Sequence, residues 1–153
     1  MSCCSKNEKQ WYPLESNPSN LTSYIKNLGF DTTKYHFIDV LSTEEWAIGM
    51  VPQPILAIIF LFPLKNEYPN QCRPEQKKLE CHENTVNATD VWYIKQRIRN
   101  ACGSFAILHA LANIPESTKA QVFKPSSWID RFLDRCSSNL CPLVKAKYIE
   151  SDM

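Results

Sequence analysis

Of the seven cysteines in this 153-residue chain, Cys102 has the neighbours that suit a nucleophile. It follows Asn100, a residue type that caps helices, and precedes Phe105, Leu108, Leu111 and Ala112, which are spaced as one helix face. The sulfur is therefore expected at a helix N-terminus, where unpaired amides and the helix dipole favour the attacking thiolate form. Gly103 leaves no side chain where a carbonyl substrate would approach, and the amide of Gln96 can donate to a developing oxyanion. The plainer use of a free cysteine is as a small buried hydrophobe, and on these residues alone both readings stand.

The other groups capable of chemistry are less well placed. His109 lies seven residues beyond Cys102 on the same expected helix, roughly 10 Å along its axis, whereas a general base must come within ~3 Å of its proton donor. It is expected as a packed or partly exposed helix residue, with His36 in a strand and His82 in a polar loop. Cys72, Cys81, His82, Cys136 and Cys141 could supply zinc ligands. Their Cys-x8-Cys and Cys-x4-Cys gaps do not reproduce the tight pairs of structural sites, so neither a metal nor a cofactor is expected.

These residues need a frame, and the hydrophobic pattern supplies one. Trp11-Tyr12-Pro13-Leu14 reads as extended. Asn17-Pro18 then sets a cap and a first helical position, Leu21, Tyr24, Ile25 and Leu28 form the apolar face, and Gly29 ends the helix. Residues 35–40, aromatic and β-branched, suit a strand. Ser42-Thr43-Glu44-Glu45 has the form of a capping box for a short helix through Trp46, and the apolar run 55–62 reads as a buried strand. Residues 65–88 are polar loop or solvated helix. Val91, Ile94 and Ile98 fit a helix face that ends before a second helix capped by Asn100, and a further helix starts near Ser126 or Ser127 with Trp128, Ile129, Phe132, Leu133 and Cys136 along one side.

Composition bounds the function. With 44% hydrophobic and 22% charged residues and a formal net charge of +1, this is one globular domain, residues 1–153 with a flexible start over 1–10. It lacks the charge excess of a nucleic-acid or anionic-membrane binder. Its longest apolar run, 55–62, is far short of the ~20 residues that span a bilayer. An odd cysteine count and a start without an apolar leader point to a reducing, cytoplasmic setting, in which the sequons at Asn20 and Asn87 carry no weight. Acylation of Cys3 and Cys4 is not expected to anchor the chain, since Ser2 stands where myristoylation needs glycine.

The run Tyr93-Ile94-Lys95-Gln96-Arg97-Ile98-Arg99-Asn100-Ala101-Cys102-Gly103-Ser104 resembles the active-site signature of the ubiquitin C-terminal hydrolases, papain-like cysteine deubiquitinases. Trp11-Tyr12-Pro13-Leu14-Glu15-Ser16-Asn17-Pro18 is similar to that family's opening. Phe37-Ile38-Asp39-Val40 and Met50-Val51-Pro52-Gln53-Pro54 with the following apolar run resemble its strands, and Ile107-Leu108-His109-Ala110-Leu111-Ala112-Asn113 resembles its nucleophile helix. The resemblance implies an α/β (α+β) papain-like fold, a central antiparallel sheet flanked by helices. It implies Cys102 as nucleophile and Gln96 as oxyanion donor, with Glu15 and Asp39 meeting the cationic tail of ubiquitin; the plainer reading of these two acids is solvated charge.

The family's base histidine and orienting aspartate lie on later strands that have no counterpart before Met153. The chain therefore reads as the N-terminal two-thirds or so of a catalytic domain, truncated, with apolar surface left uncovered and little activity as given. Its expected partners are ubiquitin or ubiquitin conjugates, with no nucleic acid or membrane, and a complete version is expected to be monomeric. The alternatives are a non-catalytic ubiquitin-binding fragment or pseudoenzyme and, outside the family, a small zinc or interaction domain.

Overall fold

A computed structural model describes residues 9–63 and 91–151. Among them are six helices: α1 Pro18–Leu28, α2 Glu45–Gly49, α3 Cys102–Ala112, α4 Glu116–Val122, α5 Trp128–Arg135 and α6 Pro142–Ser151. No strand is formed among the described residues. Isolated bridges pair Gln10 with Arg99 and Phe30 with Phe123.

Helix α1 forms where its punctuation places it. The Asn17 side chain accepts the Ser19 N–H at 2.9 Å, and Pro18 occupies the first turn, where its missing N–H costs nothing. At the other end Gly29 adopts φ 107, and the N–H groups of Gly29 and Phe30 close onto Lys26 O and Ile25 O at 3.1 and 3.0 Å. Glycine is required here for a second reason, since a Cβ would lie 2.1 Å from Ser127 Cβ at the start of α5. The chain after α1 is then tied to the end of α4 by bonds from Asp31 N to Val122 O and from Lys124 N to Gly29 O.

Helix α3 is the centre of the molecule. Phe105, Ile107, Leu108, Leu111 and Ala112 are all buried, and the same core cluster takes in Ile25, Phe30, Trp92, Ile94, Val122, Ile129, Phe132 and Ile149. Helix α5 begins at the expected cap: Ser127 Oγ accepts from Asp130 N, and the Asp130 carboxylate accepts in return from Ser126 N. Its apolar side is the expected one, with Ile129, Phe132 and Cys136 buried and Trp128 and Leu133 partly so.

The expected helix over Val91, Ile94 and Ile98 is not there. The segment is extended, burying Trp92 and Ile94 while Val91 and Tyr93 face outward. Its backbone at Trp92 and Ile94 is satisfied by side chains one turn apart, His109 on α3 and Asn113 at its C-cap. Asn113 accepts from Trp92 N at 2.7 Å and donates to Trp92 O at 2.9 Å, while His109 Nε2 lies 3.2 Å from Ile94 N and 3.1 Å from Ile94 O. A helix presenting polar groups at i and i+4 to a neighbouring chain can take the place of a strand partner in this way.

Three other expectations need correction. Residues 35–40 form no strand, and the Phe37 N–H is bonded to Thr22 Oγ1 at 3.0 Å. The capping box at Ser42 does not form: Ser42 Oγ accepts from Glu44 N, Glu44 becomes the cap residue, and its carboxylate takes the Trp46 indole N–H at 2.6 Å. Residues 55–62 are neither a strand nor buried. Ile58, Phe60 and Leu61 are 77%, 80% and 72% exposed, and only Leu56 packs on the core. Outside a helix a chain segment must find its hydrogen-bond partners elsewhere, and none of the described segments lies alongside this one as a ladder partner. The expected loop over residues 65–88 lies outside the described residues.

The start of the chain is anchored from Lys9 onward. Arg99 N donates to Lys9 O at 3.1 Å, Trp11 N donates to Arg99 O at 3.0 Å, and the Lys9 ammonium reaches Glu150 O at 2.7 Å. The flexible start expected over 1–10 otherwise lies outside the described residues.

Candidate active site

Cys102 is the first residue of α3, and its side chain is exposed. The turn that delivers it differs from the expected cap. Asn100 takes a left-handed conformation, φ 59, which asparagine tolerates better than most residues, and Ala101 occupies the cap position without a side-chain bond. The polar tip of Asn100 is thus replaced by a backbone bend. The first helical bond runs from Phe105 N to Ala101 O at 3.0 Å. The amides of the preceding turn positions, Cys102 among them, have no partner inside the helix, which is the condition for an oxyanion cradle.

Gly103 has a different surrounding from the one expected. The space a side chain would take is filled by Leu14, whose Cβ lies 3.2 Å from where a Cβ on Gly103 would stand. The absent side chain lets the segment before α1 close over the start of α3. The Gln96 amide donates to Ile98 O at 3.0 Å. That bond pins the side chain within the same extended segment and uses one of its two N–H hydrogens.

The acids are apart from the thiol in their bonding. Glu15 is exposed and accepts from Asn20 Nδ2 at 2.7 Å, and Asp39 is exposed within residues 35–40. His109 is committed to the Ile94 backbone, stacked at 5.0 Å on Tyr93 and edge-on to Trp92. Burial holds its pKa below the ordinary value, with the Ile94 bond opposing and the nearby Lys145 charge adding to the shift. His36 is exposed. Among the described residues no hydrogen bond links the Cys102 thiol to either histidine. His82 lies outside them, as do Cys72 and Cys81, and no group of three or more His, Cys, Asp or Glu among the described residues is placed to hold a metal ion. No helix among them is long and apolar enough to cross a membrane.

Two residues that matter to the architecture gave no signal on their own. Lys145 on α6 is only 1% exposed, its ammonium bonded to Ser138 O at 3.2 Å and lying 4.8 Å from the Trp92 ring centre. Burial lowers its pKa. Trp92 in turn donates its indole N–H to Cys136 O at 2.6 Å. A lone lysine in the sequence looks like a solvated charge; only the ring and carbonyl it meets explain its burial.

The sequence model for ubiquitin carboxyl-terminal hydrolase, family 1, matches residues 11–153. The chain is 32% identical over 148 residues to a protein named ubiquitin carboxyl-terminal hydrolase 3 from Arabidopsis thaliana, covering 97% of this chain and 60% of that one. It is 37% identical over 145 residues to the ubiquitin carboxyl-terminal hydrolase of Aplysia californica, covering 95% and 62%, and 32% identical over 143 residues to isozyme L1 of Homo sapiens, covering 94% and 60%. The chain thus spans about three-fifths of the length of these relatives.

Proposed function

The chain belongs to ubiquitin carboxyl-terminal hydrolase family 1, and from that premise we propose that it acts as a thiol hydrolase on ester, thioester, amide or isopeptide bonds at the C-terminal glycine of ubiquitin. The observation that carries this reading is Cys102, exposed at the first position of a helix whose remaining turns are buried in the core. A nucleophile held by a rigid element keeps its place when a substrate docks.

In this reading the Cys102 sulfur attacks the carbonyl carbon, and the negative charge passing to the carbonyl oxygen is met by the Cys102 backbone N–H and the free hydrogen of the Gln96 amide. The leaving group departs with a proton, a thioester remains on Cys102, and water cleaves it. The described residues bring no histidine to the thiol, so these steps run without an oriented base from among them. Glu15 and Asp39, both exposed, supply negative charge for the cationic tail of ubiquitin.

We treat the chain as one catalytic domain, since a single core cluster runs from Ile25 to Ile149. The uncovered run 55–62 is where the papain-like central sheet would form. The exposed thiols of Cys102 and Cys141 suit work in the cytoplasm.

Release of a fluorophore from the ubiquitin C-terminus tests the reading. Release is expected to depend on Cys102, vanish in Cys102→Ala, and run several orders of magnitude below that of a hydrolase with an oriented histidine, the usual cost of an incomplete triad. Release that survives Cys102→Ala, or none from the unaltered chain, would refute it.

A further inference from the structure

The segment before α1 packs against the residues that flank Cys102. Residues 9–14 grip the Cys102 turn from both sides. Upstream of the thiol, Arg99 is held by two backbone bonds, its N–H to Lys9 O and its O from Trp11 N, in a parallel bridge with Gln10. Downstream, Leu14 fills the space above Gly103, and the Trp11 ring lies 6.3 Å from that of Phe105, the residue whose N–H closes the first turn of α3.

The grip is itself fixed by a residue distant in sequence but adjacent in space. Glu150 on α6 accepts from the Lys9 ammonium through its carbonyl at 2.7 Å, and its carboxylate pairs with Arg97 at 3.3 Å. One residue of α6 therefore holds the chain on both sides of the Arg99 bridge.

We infer that residues 9–14 form a clamp that sets the position of Cys102, with Leu14 as its positioning residue. The inference rests on the reading of Cys102 as the nucleophile. The physical need is clear from the turn. Asn100 is left-handed and Ala101 caps without a side-chain bond, so the sequence offers no local cap to hold the helix start. An uncapped helix end frays, and a frayed first turn loses the dipole that supports negative charge on an attacking sulfur. The clamp supplies from outside the order a capping side chain would supply from within. The missing side chain of Gly103 is what allows Leu14 to approach so closely.

The test uses the full chain, two measurements and no ubiquitin, so a failed ubiquitin reading is seen separately in fluorophore release. Amide hydrogen exchange is followed at Trp11, Arg99 and Phe105, with Cys136, bonded to Phe132 O, as the reference. Iodoacetamide labelling compares Cys102 with Cys141, which is also exposed. Leu14→Ala is expected to speed exchange at Phe105 by about tenfold with the Cys136 amide unchanged, and to lower Cys102 labelling about threefold relative to Cys141. Leu14→Met, which keeps the volume, is expected to retain both wild-type values.

Equal acceleration at Phe105 and Cys136, or an unchanged labelling ratio, would overturn the inference, the first by showing a general loss of stability. Should Leu14→Ala fail to fold, Gly103→Ala pushes directly on Leu14 and is expected to move both readings in the same direction. No movement there would equally overturn it.

Discussion

Residues 35–62 are richer in apolar side chains than residues 91–151, yet it is the second of these regions that is buried. In residues 91–151 Ile94, Ile107, Leu108, Ile129, Phe132 and Ile149 are buried; in residues 35–62, outside the short helix α2, Val40, Leu41, Ile58, Phe60 and Leu61 are more than half exposed. The difference lies in the backbone. Helices α3 to α6 satisfy their own N–H and C=O groups and can be buried for the sake of their side chains. An extended chain must find partners first, because an unpaired buried amide costs as much as a buried methyl group gains. Residues 91–98 mark the boundary between the two regions: they are extended, yet Asn113 and His109 supply the missing partners, and Trp92 and Ile94 are buried. Apolarity decides what can be buried, and backbone satisfaction decides what is.

The sharpest way to break this comparison is to truncate one large side chain in each region. Phe132→Ala should cost ~3–5 kcal/mol in urea unfolding, as core aromatic deletions do. Phe60→Ala should stay within ~0.5 kcal/mol, the range of exposed substitutions. Comparable costs would mean that residues 35–62 are buried in solution.

Removing the polar device that lets residues 91–98 be buried is the next largest change. Asn113→Ala leaves Trp92 N and O unpaired and should cost ~2–3 kcal/mol, more than a single ordinary hydrogen bond contributes. Exchange of the Trp92 amide should quicken selectively. A loss under ~0.5 kcal/mol would show that water replaces Asn113 without penalty.

Asn17→Ala should cost ~1 kcal/mol, since the α1 cap is exposed and water competes for the Ser19 N–H. The same substitution at Asn100, whose side chain does not cap α3, should act through the left-handed backbone alone. Equal effects on the exchange of the first-turn amides of α1 and α3 would contradict the assignment of the caps.

The smallest effect concerns pH. Burial lowers the His109 pKa from 6.5, so the unfolded chain takes up the proton first. The stability linked to neutral His109 is complete above that value and is lost as pH falls through the folded pKa. Melting temperature should therefore fall between about pH 7.5 and about pH 5.5, and fall less in His109→Gln. Identical slopes would place the acid sensitivity elsewhere.

The helices with their own punctuation were readable in advance. Asn17, Pro18 and Gly29 frame α1, and Ser127 starts α5, because caps act on residues only a few positions away. The extended segments were not readable, since Ile94 and Ile98 at helical spacing satisfy either geometry until Asn113 and His109 are seen to hold the backbone. At the site, the helix that starts at Cys102 was legible from the apolar series after it, but the left-handed turn at Asn100 was not, and the packing of Leu14 on Gly103 joins residues nearly ninety positions apart. No local rule contains them.

Cys102 and Cys141 are both exposed, each beside the start of a helix, so they provide an internal contest for the central claim. The most direct measurement is capture by a ubiquitin carrying an electrophile at its C-terminus, with the modified cysteine located by mass mapping. The account predicts a one-to-one adduct at Cys102, lost in Cys102→Ala and weakened when Glu15 and Asp39 are both replaced by lysine. An adduct on Cys141, or none on Cys102, would contradict it.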